Sequence, residues 1–182
     1  MAFSRALYFV AIVPPTAVKE QVKNMKLEIK EKFQVAHALK LPAHITLIPP
    51  VWLSEDQEIE FITLLRSFSQ DHRSFSIALS DFGHFKQRTI FINVVDHEPV
   101  NSLHENLLQK LSGLLPLNHL EKLHPHVTLA TRDLTYKKFP KVWQEYKKGT
   151  FSAEFQADAL TLFKHNGKTW DVLEVFTFSE KN

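Results

Sequence analysis

Cysteine is absent from this 182-residue chain. That absence removes disulfides, thiolate nucleophiles and cysteine-based metal sites, and it is compatible with the cytoplasm, the location expected here. Glycine is scarce, at 4 residues, so no Gly-rich phosphate-cradling loop can be read. Long hydrophobic runs are missing too. The stretch Leu7 to Val13 is far short of the roughly 20 residues a membrane helix needs, and with Arg5 ahead of it it reads as a first β-strand rather than a leader segment. No membrane partner is expected. A large excess of one charge is also lacking: 22 basic against 20 acidic residues leave a net charge of +2. Such a balance excludes the footprint of a protein that grips long duplex nucleic acid. A small anionic substrate or one end of an RNA suits it better, and it is consistent with a monomer.

What is present is an ordinary globular mixture, 44% hydrophobic and 23% charged, with 15 phenylalanines. The core should be rich in aromatics. The length fits one domain over 1–182, built as two small lobes sharing a cleft.

The pattern along the chain predicts alternating elements. Residues 5–13 read as a strand closed by Pro14-Pro15, which open a helix whose apolar face is Val18, Val22, Met25, Ile29 and Phe33. A strand is expected over 41–49. Ser54 and Gln57 form a capping-box signature for a second helix with the stripe Ile59, Ile62, Leu65 and Phe68. Runs 74–82 and 88–95 read as a hairpin joined through Gly83 to Gln87. Pro99 opens a third helix with Val100, Leu103, Leu107, Leu111 and Leu114 on one face. A strand over 124–130 follows, then a short helix carrying Val142, Trp143 and Tyr146, then three strands, the last two flanking the turn signal Asn166-Gly167. The order β-α-β-α-β-β-α-β-α-β-β-β implies an α+β or α/β fold of two interlocked lobes.

One phrase occurs twice. His44-Ile45-Thr46-Leu47 and His126-Val127-Thr128-Leu129 stand 82 positions apart. Shuffling the same residues gives about a one percent chance of a single such phrase, so composition does not explain the pair. Side chains alternate faces along a strand. His and Thr therefore point one way while the aliphatic pair points to a core. Two such strands side by side aim two imidazoles and two hydroxyls at one point. That set suits phosphodiester chemistry without a metal or any cofactor. A neutral imidazole takes a proton from the attacking hydroxyl or water, and a protonated one gives a proton to the departing oxygen. Thr46 and Thr128 can donate to the non-bridging phosphate oxygens. Which histidine is acid and which is base stays open at this point.

At these residues the chain resembles the 2H phosphoesterase superfamily, which holds the 2′-5′ RNA ligase-like proteins and cyclic nucleotide phosphodiesterases, defined by paired H-x-[TS]-hydrophobic motifs. LYFVAIVPP is similar to that family's first strand, FGHFKQRTIFINV to the segment between the motifs, and HPHVTLATR to the second motif followed by a basic residue. Ile48-Pro49-Pro50-Val51-Trp52 stands where the ligase-like branch has a Phe-Leu-Gly-type turn, which places the chain in a divergent branch. The resemblance implies an α+β fold of two pseudo-symmetric lobes, each an antiparallel sheet with flanking helices, around a central cleft. It further implies action on 2′,3′-cyclic phosphate ends of RNA or nucleotides, or on 2′-5′ linkages, with ligation as the reverse reaction.

Other residues carry weaker signals. Arg132, just past the second motif, and Arg88 are candidates for a second phosphate or a ribose oxygen. Phe85 and Tyr8 are candidates to stack on a base. His124 and His126 form an H-x-H that can chelate zinc, but no third ligand is evident at sensible spacing, so a metal site is not expected. His37, His72, His97, His104 and His119 read as solvated surface positions, as do Lys137, Lys138, Lys141, Lys147 and Lys148. Two rivals to a two-histidine esterase are a nucleotide- or phosphate-binding module on the same fold and a metal-dependent hydrolase built on His124 and His126.

Overall fold

From Tyr8 to Ile12 five consecutive residues are buried, which a strand achieves only when both its faces are covered. The computed structural model describes residues 5–115 and 123–180, and it shows what covers them. In chain order the elements are β1 (Arg5–Ile12), α1 (Thr16–Phe33), a 3₁₀ turn (His37–Lys40), β2 (Ile45–Ser54), α2 (Glu55–Gln70), β3 (Phe75–Phe85), β4 (Thr89–Val94), α3 (Glu98–Leu111), β5 (His126–Ala130), α4 (Phe139–Tyr146), β6 (Ser152–Ala157), β7 (Ala159–His165) and β8 (Trp170–Thr177). The alternation is the one the sequence pattern predicts.

The strands form two antiparallel four-stranded sheets, β2-β1-β7-β8 and β5-β4-β3-β6. With four α-helices this is an α+β fold of two lobes. The plan repeats: each His-x-Thr-Leu strand stands at a sheet edge and is reached from its neighbour through a helix, β1-α1-β2 in one lobe and β4-α3-β5 in the other. The helices then change sides. α1 packs on β5 and α4, while α3 packs on α2 and β2. Each lobe is covered in part by a helix that belongs, by connectivity, to the other. One apolar cluster accordingly runs through both, from Val10, Ile45 and Leu65 to Val127, Leu129 and Val142. Burying each such side chain contributes about 1.5–3 kcal/mol, so separating the lobes would expose a core shared by both.

Several local readings shift. The strand expected over 41–49 begins at Ile45 and continues through Pro49-Pro50 to Ser54. Proline lacks the N–H that a central strand must donate, but β2 is an edge strand. Its register against β1 jumps from Tyr8↔Val51 to Val10↔Ile48, and this irregularity takes up the two prolines. Ser54 ends that strand and caps α2, accepting from Gln57 N at 3.4 Å while its own N–H donates to Gln57 Oε1 at 3.1 Å. The buried stripe of α2 is Phe61, Leu65 and Phe68, and Ile59 is 67% exposed. Residues two apart on a helix do not share a face, so burying Phe61 turns Ile59 outward. β3 runs on to Phe85 and β4 starts at Thr89, which narrows the hairpin link to Lys86, Gln87 and Arg88, the first two at positive φ. Two further expectations are corrected. His104 is buried and its Nδ1 meets the Leu47 carbonyl at 2.8 Å, tying α3 to β2. His72 is half-buried and stacks on Phe68 with centroids 3.8 Å apart. His119 lies outside the described residues.

Candidate active site

His44 immediately precedes β2 and His126 opens β5. Both rings are held by the same device. His44 Nδ1 donates to the Pro42 carbonyl at 2.9 Å, and His126 Nδ1 to the His124 carbonyl at 2.6 Å. In each case the carbonyl lies two residues back, and the proton on Nδ1 leaves Nε2 as the nitrogen that can gain or lose a proton. Each ring also rests on a phenylalanine from the adjacent strand. Phe9 of β1 lies 5.4 Å from the His44 ring and Phe91 of β4 lies 4.9 Å from the His126 ring. Burial against these surfaces penalises the imidazolium. His44 is pushed down to about 4, mainly by desolvation, and Lys26 and His126 nearby add to the effect. His126 is also lowered by desolvation, with the neighbouring His124 pushing the same way.

A cavity of about 320 Å³ opens between the lobes and takes His44, Thr46 and Thr128 into its walls. The two threonines share the face of their motif histidines, as strand alternation requires. The His126 ring is not part of that wall; it packs edge-on against Phe85, with centroids 5.0 Å apart, and against Phe91. Lys26, Lys40, Arg132 and Lys168 bring positive charge to the cavity, and among the described residues no carboxylate lines it. Anions are therefore favoured there. Among the described residues no group of three His, Asp or Glu side chains could hold a metal ion.

The other candidates separate clearly. Arg132 lines the cavity, at a positive φ of 54°. Arg88 does not; its guanidinium lies over the Tyr136 ring, 5.4 Å from the centroid. Phe85 lies outside the wall and contacts His126 and His124 instead. Tyr8 is 1% exposed and donates to Glu58 on the opposite side of its sheet, so it cannot stack on a base. On β1 the alternation puts Phe9, not Tyr8, toward the cavity. Phe9 stacks on Phe163 at 4.4 Å and meets Trp170 edge-on at 4.7 Å. His37, expected on the surface, also lines the cavity. Among the lining residues that escaped the sequence reading, two stand out. Trp170 sits just beyond the Asn166-Gly167 turn, and Lys26 occupies a buried position of the α1 stripe between Val22 and Ile29. A lysine interrupting an apolar stripe was the available signal.

The Phe91 ring packs directly on Gly83, leaving no room there for a side chain. A Cβ built on Gly83 would come within 2.6 Å of the Phe91 ring and 2.8 Å of Asn93 Oδ1. Gly83→Ala is expected to cost about 1–3 kcal/mol through overpacking. As Phe91 shifts, the His126 ring becomes better solvated and its titration midpoint rises toward 6.5. Thermal unfolding and histidine NMR titration check this, and no change in either would show that Phe91 does not constrain the ring.

No helix among the described residues is long and apolar enough to cross a membrane. No curated protein matches the chain. Among solved structures, LigT of E. coli complexed with 3′-AMP is similar with a TM-score of 0.69 at 19% identity, covering 97% of this chain and 100% of that one. LigT complexed with ATP gives the same score and identity. TT0787 of Thermus thermophilus gives a TM-score of 0.66 at 19% identity, covering 96% and 100%. These likenesses show the shared fold. Residues 14–169 match the model of the 2′-5′ RNA ligase superfamily, and with that match over most of its length the chain belongs to this family, the 2H phosphoesterases.

Proposed function

We propose that this protein is a metal-independent phosphodiesterase that opens 2′,3′-cyclic phosphates at RNA ends or on nucleotides. The observation that carries the reading is the matched pair of imidazoles, each pinned at Nδ1 by a carbonyl two residues back, beside a cation-lined cavity that no carboxylate among the described residues lines. The ligands of the similar LigT structures, 3′-AMP and ATP, are phosphate-bearing nucleotides, the class this cavity suits.

In the reaction, water attacks the phosphorus and one P–O bond to the ribose breaks, leaving a phosphate monoester on the other ribose oxygen. Of the two imidazoles, His44 is held harder in its neutral form, which suits the base that takes the water proton. His126, protonated, gives its proton to the departing ribose oxygen. Thr46 and Thr128 donate to the non-bridging oxygens, where charge builds up. Trp170 offers the base an aromatic surface, backed by the buried Phe9 ring 4.7 Å away. The same steps reversed, with an RNA hydroxyl in place of water, join ends.

The pH dependence follows from the directions of the two shifts. Activity of the free enzyme needs neutral His44 and protonated His126. It is lost below about pH 4 as His44 gains a proton, and lost again as pH rises through the value of His126, which lies under 6.5. The kcat/KM profile is therefore expected to be a bell centred on the acid side of neutrality. A bound phosphate favours the imidazolium, so the upper limb of kcat should lie at higher pH than that of kcat/KM. The test is hydrolysis of the four nucleoside 2′,3′-cyclic monophosphates in excess chelator, with phosphorus NMR identifying the product. Loss of turnover in chelator would end the metal-free reading, and a profile with a single limb would remove one histidine from it.

A further inference from the structure

A second concavity, of about 330 Å³, opens beside the first and shares Lys26 and Leu41 with it. Its walls are the first turns of α1 and the segment 39–43. Lys19, Lys23 and Lys26 follow at spacings of four and three, which sets them on one face of the helix, and all three line this groove. Against them stands one carboxylate, Glu20. The ion pairs among the described residues are Lys32–Glu145, Arg66–Glu174 and Lys164–Glu58, so none of the three lysines is neutralised by a salt bridge. The helix end adds to the field. Thr16, which also lines the groove, opens α1 with no side-chain cap and no acidic residue in the first turn, and the N–H groups there carry partial positive charge. Lys26 is the partition: 4% exposed, its Nζ bonded to the Leu41 carbonyl at 3.1 Å, and part of both walls.

The first cavity lies at the small end of the range for sites that take a single ligand. A chain whose terminal phosphate sits between the histidines must leave it, and the next phosphate needs a cationic surface contiguous with the cavity. We infer that the α1 groove receives that phosphate, so that the substrate is the end of an oligonucleotide rather than a free nucleoside cyclic phosphate. This rests on the phosphodiesterase reading of the adjoining cavity.

The test compares kcat/KM for a nucleoside 2′,3′-cyclic monophosphate with that for a short oligoribonucleotide ending in the same cyclic phosphate. Both are run on wild type and on the Lys19→Gln/Lys23→Gln double variant, whose two changes lie outside the cavity. Wild type should prefer the oligonucleotide by about tenfold or more, the scale of about 1.4 kcal/mol of added binding. The variant should lose that preference with its mononucleotide rate unchanged. Its salt dependence on the oligonucleotide should become shallower by about 0.7 in log–log slope, the value for one lost single-strand phosphate contact. Equal rates on both substrates in wild type, or an undiminished oligonucleotide rate in the variant, overturn the inference. If wild type turns over neither substrate, the phosphodiesterase reading is what fails. The groove is then judged by anisotropy with the same oligonucleotide, fluorescently labelled: weaker binding by the variant supports it and equal binding overturns it.

Discussion

Alanine at either His44 or His126 is expected to lower kcat for cyclic phosphate hydrolysis by about 10²–10⁴-fold, the range of a lost general acid or base. The double variant should be scarcely worse than either single one, because in the proposed mechanism the two groups act in one proton-transfer sequence and their losses do not add. Stability should hardly change. Each ring is half-buried and gives up one hydrogen bond to a loop carbonyl, and a typical bond of that kind contributes about 0.5–1.5 kcal/mol. Initial rates beside thermal midpoints separate lost chemistry from lost fold. Added imidazole should restore part of the rate in a variant whose cavity is intact. Turnover surviving in either single variant removes that histidine from the mechanism.

Asp133→Ala is expected to cost about 2–4 kcal/mol and to raise KM. Asp133 follows the second motif, yet its Oδ2 accepts from the backbone N–H groups of Ala36 at 2.7 Å and His37 at 2.9 Å, nearly a hundred residues away. This one carboxylate ties the 3₁₀ turn of the first lobe to the loop of the second, and His37 and Arg132 on either side of the tie both line the cavity. Removing the acceptor strands two half-buried donors, each in the lower part of the range of about 1–3 kcal/mol for an unsatisfied buried group. Asp133→Asn keeps an acceptor oxygen and should recover much of the loss. Urea unfolding of both variants, with KM for a cyclic phosphate, checks this. Unchanged midpoints and KM for Asp133→Ala would mean that the tie does not hold the cleft.

The element order and the His-Thr pairs were legible because both rest on periodicity, which a single sequence displays. Orientation within an element was less so. Tyr8 and Phe9 are neighbours in a strand buried on both faces, so no polar alternation marks which of them faces the cavity; only pairing with β7 decides it. Ile59 and Phe61 are both apolar on α2, and the stripe that won is the one that fits the shared core. The strand expected over 41–49 stops short of Ser54 because the edge position of β2, which lets it run through Pro49-Pro50, is a property of the sheet order and not of the local residues. Lys26 and Trp170 carry no motif; they matter through what the tertiary arrangement sets beside them.

The sheet orders also bear on how the molecule comes into being. The second sheet is drawn from one unbroken stretch of chain, β3 to β6, whereas the first needs β1 and β2 from one end and β7 and β8 from the other. Tyr8 pairs with Lys164, a closure over most of the chain, and long closures form slowly. During synthesis the His126 sheet can assemble while β1, with β2 already made beside it, still lacks its second partner β7. The strand leading from His44 waits, one side of its sheet unfilled, until the β7–β8 hairpin leaves the ribosome. The cleft is thus completed only once β7 and β8 have been made, and a nascent chain stalled before residue 159 would display Phe9 and Ala11 uncovered, as a surface for chaperones to read.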